Sequence, residues 1–158
     1  MNRALLRLAT CLTIFATTAV WASSALAAGN VVISQVYGGG GNTGAVLKND
    51  YIQLYNRSAA AVDLSTWSVQ YASSAGTTWL KTNLSGSIAP GATYLVQEAA
   101  GTGGTVSLPT PDASGSTNMS ATSGKVILVS SQTAATGACP TASVVDVGVG
   151  DNWADAKN

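Results

Sequence analysis

The sequence predicts an all-β protein, an antiparallel sandwich or barrel built from about seven to eight short strands. Three observations carry that prediction. Two period-2 segments lie close together. In D-Y-I-Q-L-Y-N, residues 50–56, Ile52 and Leu54 share one face against Tyr51, Gln53 and Tyr55. In D-L-S-T-W-S-V-Q-Y, residues 63–71, Trp67, Val69 and Tyr71 share one face against Ser68 and Gln70. Turn-forming clusters recur at short intervals along the rest of the chain. Finally, no segment beyond the first 28 residues sustains a helical period.

Residues 1–28 read as a secretory signal peptide. Arg3 and Arg7 give a basic start, residues 8–21 are apolar with threonine interruptions, and Ala25-Leu26-Ala27 offers an A-x-A cleavage site. The apolar run is too short for a membrane span, and no later stretch is long or apolar enough for one. Residues 29–150 then form one domain of roughly 120 residues with a single core, and residues 151–158 a short tail. A secreted location, extracellular or periplasmic, follows from the leader.

The first strand covers residues 30–37, apolar almost throughout, and the glycine run 38–44 breaks it. Tandem glycines can cradle phosphate, but no helix opening on Lys-Ser/Thr follows, so the run reads as a flexible strand-to-strand loop. Further strands are predicted at 51–55, 61–64, 67–71, 78–81, 93–97, 125–129 and 144–149. Residues 72–76, 89–92 and 123–124 supply turns. Pro90-Gly91 suits the centre of a type II turn, since Pro presets φ and Gly accepts a positive one. Residues 99–122 hold only Val106, Leu108 and Met119 to bury, and read as a long surface connection with a short strand or turn near Met119. The predicted core is Ile52, Leu54, Trp67, Tyr71, Leu95, Ile127 and Leu128.

Charge and chemistry narrow the function. After the leader, Lys48, Arg57, Lys81, Lys125 and Lys157 stand against Asp50, Asp63, Glu98, Asp112, Asp146, Asp151 and Asp155. That slightly acidic balance disfavours a purely electrostatic grip on nucleic acid. The chain has no histidine, which removes Ser-His and Cys-His pairs and most zinc arrangements. Its carboxylates are single and scattered. Asp50 and Asp63 read as strand-end or turn side chains bonding nearby backbone. Asp146, Asp151 and Asp155 match no known calcium loop. No residue is therefore assigned as catalytic, cofactor-binding or metal-binding. Tyr37, Tyr51, Tyr55, Trp79 and Trp153 are candidates to stack on sugars or bases, with cross-strand packing as the alternative. Asn56, Asn83 and Asn118 each open an N-x-S triplet. Cys11 leaves with the leader, so Cys139 is alone in an oxidising compartment. It is then a partly buried thiol or pairs outside this chain.

At the paired strands the chain resembles a known family. V-V-I-S-Q-V-Y-G-G-G-G-N, then K-N-D-Y-I-Q-L-Y-N-R, then V-D-L-S-T-W-S-V-Q-Y-A, look like a bacterial lamin-tail domain. The later pieces L-S-G-S-I-A-P-G, Y-L-V-Q-E, G-K-V and G-A-C-P agree in order and spacing. The resemblance implies an immunoglobulin-like β-sandwich, of the kind found ahead of the catalytic domain in secreted endonuclease/exonuclease/phosphatase-type nucleases. In that family a Glu usually stands where this chain has Gln53. Relatives also continue past the D-x-x-G segment, here from Asp146, to a second cysteine. The resemblance therefore implies a truncated N-terminal fragment lacking the catalytic domain and the partner of Cys139. The resulting expectation is a secreted, non-catalytic accessory or targeting module. The alternative is a stand-alone binding module for a surface glycan, a protein or DNA. Its partner would be a C-terminal nuclease domain in full-length relatives, or an extracellular polymer or surface protein.

Overall fold

The computed structural model describes residues 30–146, which form ten strands with no helix among them. In chain order these are β1 (Val31–Tyr37), β2 (Asn49–Asn56), β3 (Val62–Asp63), β4 (Ser68–Ala72), β5 (Leu80–Asn83), β6 (Ser87–Ile88), β7 (Thr93–Ala100), β8 (Ala113–Ser114), β9 (Lys125–Val129) and β10 (Val144–Asp146). One sheet has the order β1-β2-β7-β8, with only β8 running parallel to its neighbour; the other has the order β10-β9-β4-β5. Strands β3 and β6 form a separate two-stranded ribbon. The signal peptide, the 151–158 tail, Trp153 and the last residues of the 144–149 strand lie outside the described residues.

The period-2 patterns become two apolar faces pressed together. Ile33, Ile52, Leu54, Tyr94 and Val96 from the first sheet meet Val69, Tyr71, Val126 and Leu128 from the second. Leu64, Trp67, Leu84, Ile88 and Met119 complete this core. Each fully buried aliphatic side chain contributes roughly 1.5–3 kcal/mol by leaving water. The sandwich is therefore held mainly by that shared layer. At the side of the sandwich, Asp146 Oδ2 accepts the Ile33 N–H at 2.8 Å, tying β10 to the edge strand β1.

The remaining details follow local chemistry. Ala92 N donates to Ala89 O at 3.1 Å and Gly91 has φ 66°, the turn predicted for Pro90-Gly91. Asp63 Oδ1 accepts the Ser65 N–H at 2.8 Å, an Asx turn that bonds nearby backbone as predicted. The glycine loop does connect β1 to β2, but it is locked in place. Gly41 N donates to Leu47 O, Gly103 N donates to Gly41 O, and a Cβ on Gly41 would lie 2.1 Å from Gly101 N.

Four expectations need correction. Leu95 is half-buried on the outer face of β7, because the register turns Tyr94, Val96 and Glu98 inward instead. Ile127 is buried, but in a second cluster with Ala72, Trp79 and Val129 on the far side of its sheet. The predicted strand at 78–81 begins at Leu80, while Thr78 makes an isolated bridge to Thr136. Residues 99–122 are more than a surface connection. They extend β7 to Ala100, form β8, and bury Thr117 and Met119. Buried carboxylates satisfy the main chain of this polar segment, so it needs few apolar residues of its own.

Candidate functional site

The two sheets differ in what lies over their outer faces. On the second sheet, residues 130–143 fold back as a cap. Gln70 anchors it at two points: Nε2 donates to Thr133 O at 2.9 Å, and Oε1 accepts the Ala135 N–H at 2.8 Å. Ser68 Oγ donates to Ser131 O at 2.6 Å, and Trp79 Nε1 to Gly137 O at 2.9 Å. Lys125 sits over the Trp79 ring with Nζ 5.3 Å from its centroid, and also donates to Ala138 O and Gly76 O. All five β4 residues are buried: Val69 and Tyr71 by the core between the sheets, Ser68 and Gln70 on the opposite face by the cap. Trp79, at 4% exposure, serves the cap and is withdrawn as a stacking residue. Cys139 is exposed beside a cleft of about 470 Å³ between the cap and β9, where no charged group converges.

On the first sheet the outward residues are half-buried or exposed, Gln35, Tyr55 and Thr93 being the exposed ones. Tyr37 lies opposite Tyr51, Gln35 opposite Gln53, and Val32 opposite Tyr55, with Gln97, Leu95 and Thr93 of β7 continuing these rows. A bulge at Ser34 makes this possible. It inserts one residue between Ile33 and Gln35, so that Gln35 and Tyr37 point outward in phase with β2 while Val36 turns inward. The Tyr37 and Tyr51 rings stack at 5.6 Å and 25°. The Tyr37 ring also passes over Gly39, where a Cβ would sit 3.4 Å away. Tyr51 Oη donates to Gln35 Oε1 at 3.0 Å, and Ser34 Oγ to Gln53 Oε1 at 3.3 Å. Burial and the neighbouring Tyr37 both push the Tyr51 phenol up from its ordinary value. Tyr55 is 37% exposed. The cross-strand and the exposed readings of these tyrosines are thus both realised, in different residues.

The carboxylates do other work. Asp50, 1% exposed, accepts the Gly40 N–H on Oδ1 and the Met119 N–H on Oδ2, each at 2.8 Å. Glu98, 2% exposed, accepts the Thr117 N–H on Oε2 at 2.9 Å. Burial raises both above the usual carboxylate range, against the opposing pull of these N–H groups, and the Asp50 charge adds to the rise at Glu98. The Thr82 hydroxyl lies close enough to Glu98 to favour its charge, but without the alignment of a hydrogen bond. Asp112 Oδ2 accepts the Leu95 N–H at 2.7 Å. With Asp63 and Asp146, every described carboxylate thus accepts a main-chain N–H. Among the described residues no three His, Cys, Asp or Glu side chains gather where they could hold a metal. Asp151 and Asp155 lie outside those residues.

Sequence reasoning found the tyrosines but missed the structural reach of Asp50 and Glu98. It also missed Asn56, which is fully buried. Its Nδ2 donates to Ala60 O and Ile88 O, so it cannot carry a glycan in the folded chain. The only signal for these three was a polar residue on the inward phase of a strand.

Fold and site together define a small immunoglobulin-like β-sandwich module with one capped face and one open face. The family model of the Lamin Tail Domain matches residues 24–146, and the chain belongs to that family. No curated protein matches the chain.

Proposed function

We propose that the chain is a secreted, non-catalytic accessory module whose role is attachment, of the kind that would position an extracellular nuclease on its target. The observation that carries the non-catalytic part is the commitment of all five described carboxylates to main-chain N–H groups. Asp50 is buried with both oxygens engaged, Glu98 is buried, and the other three carboxylates stand apart, so the described residues bring no group of them together to activate water or grip a cation. The leader-like residues 1–28 support export.

The open face of β1, β2 and β7 favours a second version, in which the domain binds an extracellular partner by itself. Both versions predict retention on a surface and no turnover. The purified chain would be incubated with plasmid DNA plus magnesium and calcium, and separately sedimented with bacterial cell-envelope material. Intact DNA and saturable retention are expected. Reproducible cleavage would overturn the non-catalytic reading, and failure to bind the envelope would remove attachment.

A further inference from the structure

We propose that the open face of β1, β2 and β7 is a docking platform for a neutral, extended polysaccharide chain. This rests on the attachment reading above and names its ligand class. The aromatic groups come first. Tyr51 and Tyr55 lie on one strand, four residues and therefore roughly 13 Å apart, with Tyr37 stacked beside Tyr51. The exposed Tyr55 ring offers a face to the C–H side of one sugar, and about four residues along the strand the stacked Tyr37–Tyr51 pair offers its ring edges and the Tyr51 hydroxyl to another, a spacing that suits an extended chain.

The amides come second. Gln35 accepts the Tyr51 Oη hydrogen bond on Oε1 at 3.0 Å, while the single Ser34 hydroxyl proton is shared between the Gln53 carbonyl at 3.1 Å and Gln53 Oε1 at 3.3 Å. The Gln35 amide is thereby oriented with its Nε2 donors turned to sugar hydroxyls, and Gln53 lies opposite it on β2. Gln97 adds a third amide on β7 in the same row as Tyr37 and Tyr51.

The absence of charge on this face decides between polymers. None of its outward residues on β1, β2 or β7 is a Lys, Arg, Asp or Glu. Within these strands a polyanion would meet no cation, the nearest in sequence being Arg57 just past the end of β2, so little counterion release is available. A neutral glycan needs none. The 130–143 cap lies on the other sheet, where Gln70 holds it, while Gln35, Tyr55 and Thr93 on this face are exposed.

The test uses the full chain against insoluble cellulose, β-1,3-glucan and mannan, with alginate and duplex DNA as anionic comparisons. Saturable binding to at least one neutral glycan is expected. It should not change between 0.01 and 1 M salt, over which the screening length falls from about 30 to 3 Å. Tyr55→Ala and Gln35→Ala, both at exposed positions, should each weaken it by roughly three- to tenfold. Binding only to alginate or DNA, or glycan binding indifferent to both substitutions, overturns the proposal and leaves attachment standing. Binding to neither polymer nor cell envelope removes attachment as well.

Discussion

Replacing Asp50 by Asn removes one charge and changes one atom, yet it should destabilise the fold clearly. The carboxylate uses both oxygens, one for Gly40 N and one for Met119 N. It joins the β1–β2 loop and the 113–120 segment to the end of β2. An Asn oxygen can keep one of those donors; its NH2 must then face the other. One hydrogen bond to a charged group, about 1.5–3 kcal/mol, is lost. The buried N–H left unsatisfied adds about 1–3 kcal/mol. Relief from burying a charge offsets part of this, leaving a net loss of about 2 kcal/mol. Glu98→Gln should behave differently. Glu98 receives the Thr117 N–H on Oε2, which a Gln oxygen can also accept. Thr82 Oγ1, the buried hydroxyl with no bonding partner among the described residues, lies near the same Oε2 and can donate to a Gln oxygen there as to a carboxylate. That variant should stay within about 0.5 kcal/mol of the parent or gain slightly. Urea unfolding at pH 7, followed by tryptophan fluorescence, separates the two. With a slope of roughly 1–3 kcal/mol per molar, Asp50→Asn should lower the midpoint by roughly 1 M. Equal midpoints for the two variants, or a larger loss in Glu98→Gln, would refute the reasoning.

Three further outcomes follow from the same structure. Asp50 and Glu98 both titrate above their ordinary values in the folded chain. The stability linked to their protons is therefore full below about pH 4 and lost as pH rises through the raised values. Asp63 is lowered and acts in the opposite sense, but at a fully exposed site. The urea midpoint should consequently rise as the pH falls from 7 toward 4, and Glu98→Gln should flatten that slope; a midpoint that falls over this range contradicts the assignment. Gly115→Ala would place a Cβ 2.1 Å from Thr82 Oγ1 and 2.3 Å from Glu98 Oε2. It should cost about 1–3 kcal/mol and speed proteolysis within 113–120, whereas wild-type protection would refute the close packing. Trp79→Ala should cost about 3–5 kcal/mol and raise hydrogen exchange in the 130–143 cap without altering polymer binding. Loss of binding with an undisturbed cap would return Trp79 to the candidate ligand residues.

The alternation at residues 51–55 and 67–71 made the strands, their faces and most of the core legible, because period 2 is a local property of extended backbone. It failed at Leu95 for an equally local reason. Tyr94, Leu95 and Val96 are consecutive apolar residues, so either phase looks buried, and pairing with β2 chose the one that sends Glu98 inward. Trp79 and Gln70 were misplaced because the segment that covers them lies about sixty residues further along the chain. Asp50 was legible as a side chain bonding backbone. That one of its donors would come from Met119 was not.

The sequence by itself determined that this is an all-β domain, which residues alternate across its strands, and that it lacks the histidines and grouped carboxylates of common hydrolytic sites. Only the tertiary structure decided which outer face would be closed by the 130–143 cap and which would stay open with its tyrosines and glutamines. It also decided that the carboxylates would hold backbone. Alternation is written residue by residue, but what covers a face depends on contacts between distant segments, and those form only when the two sheets pack.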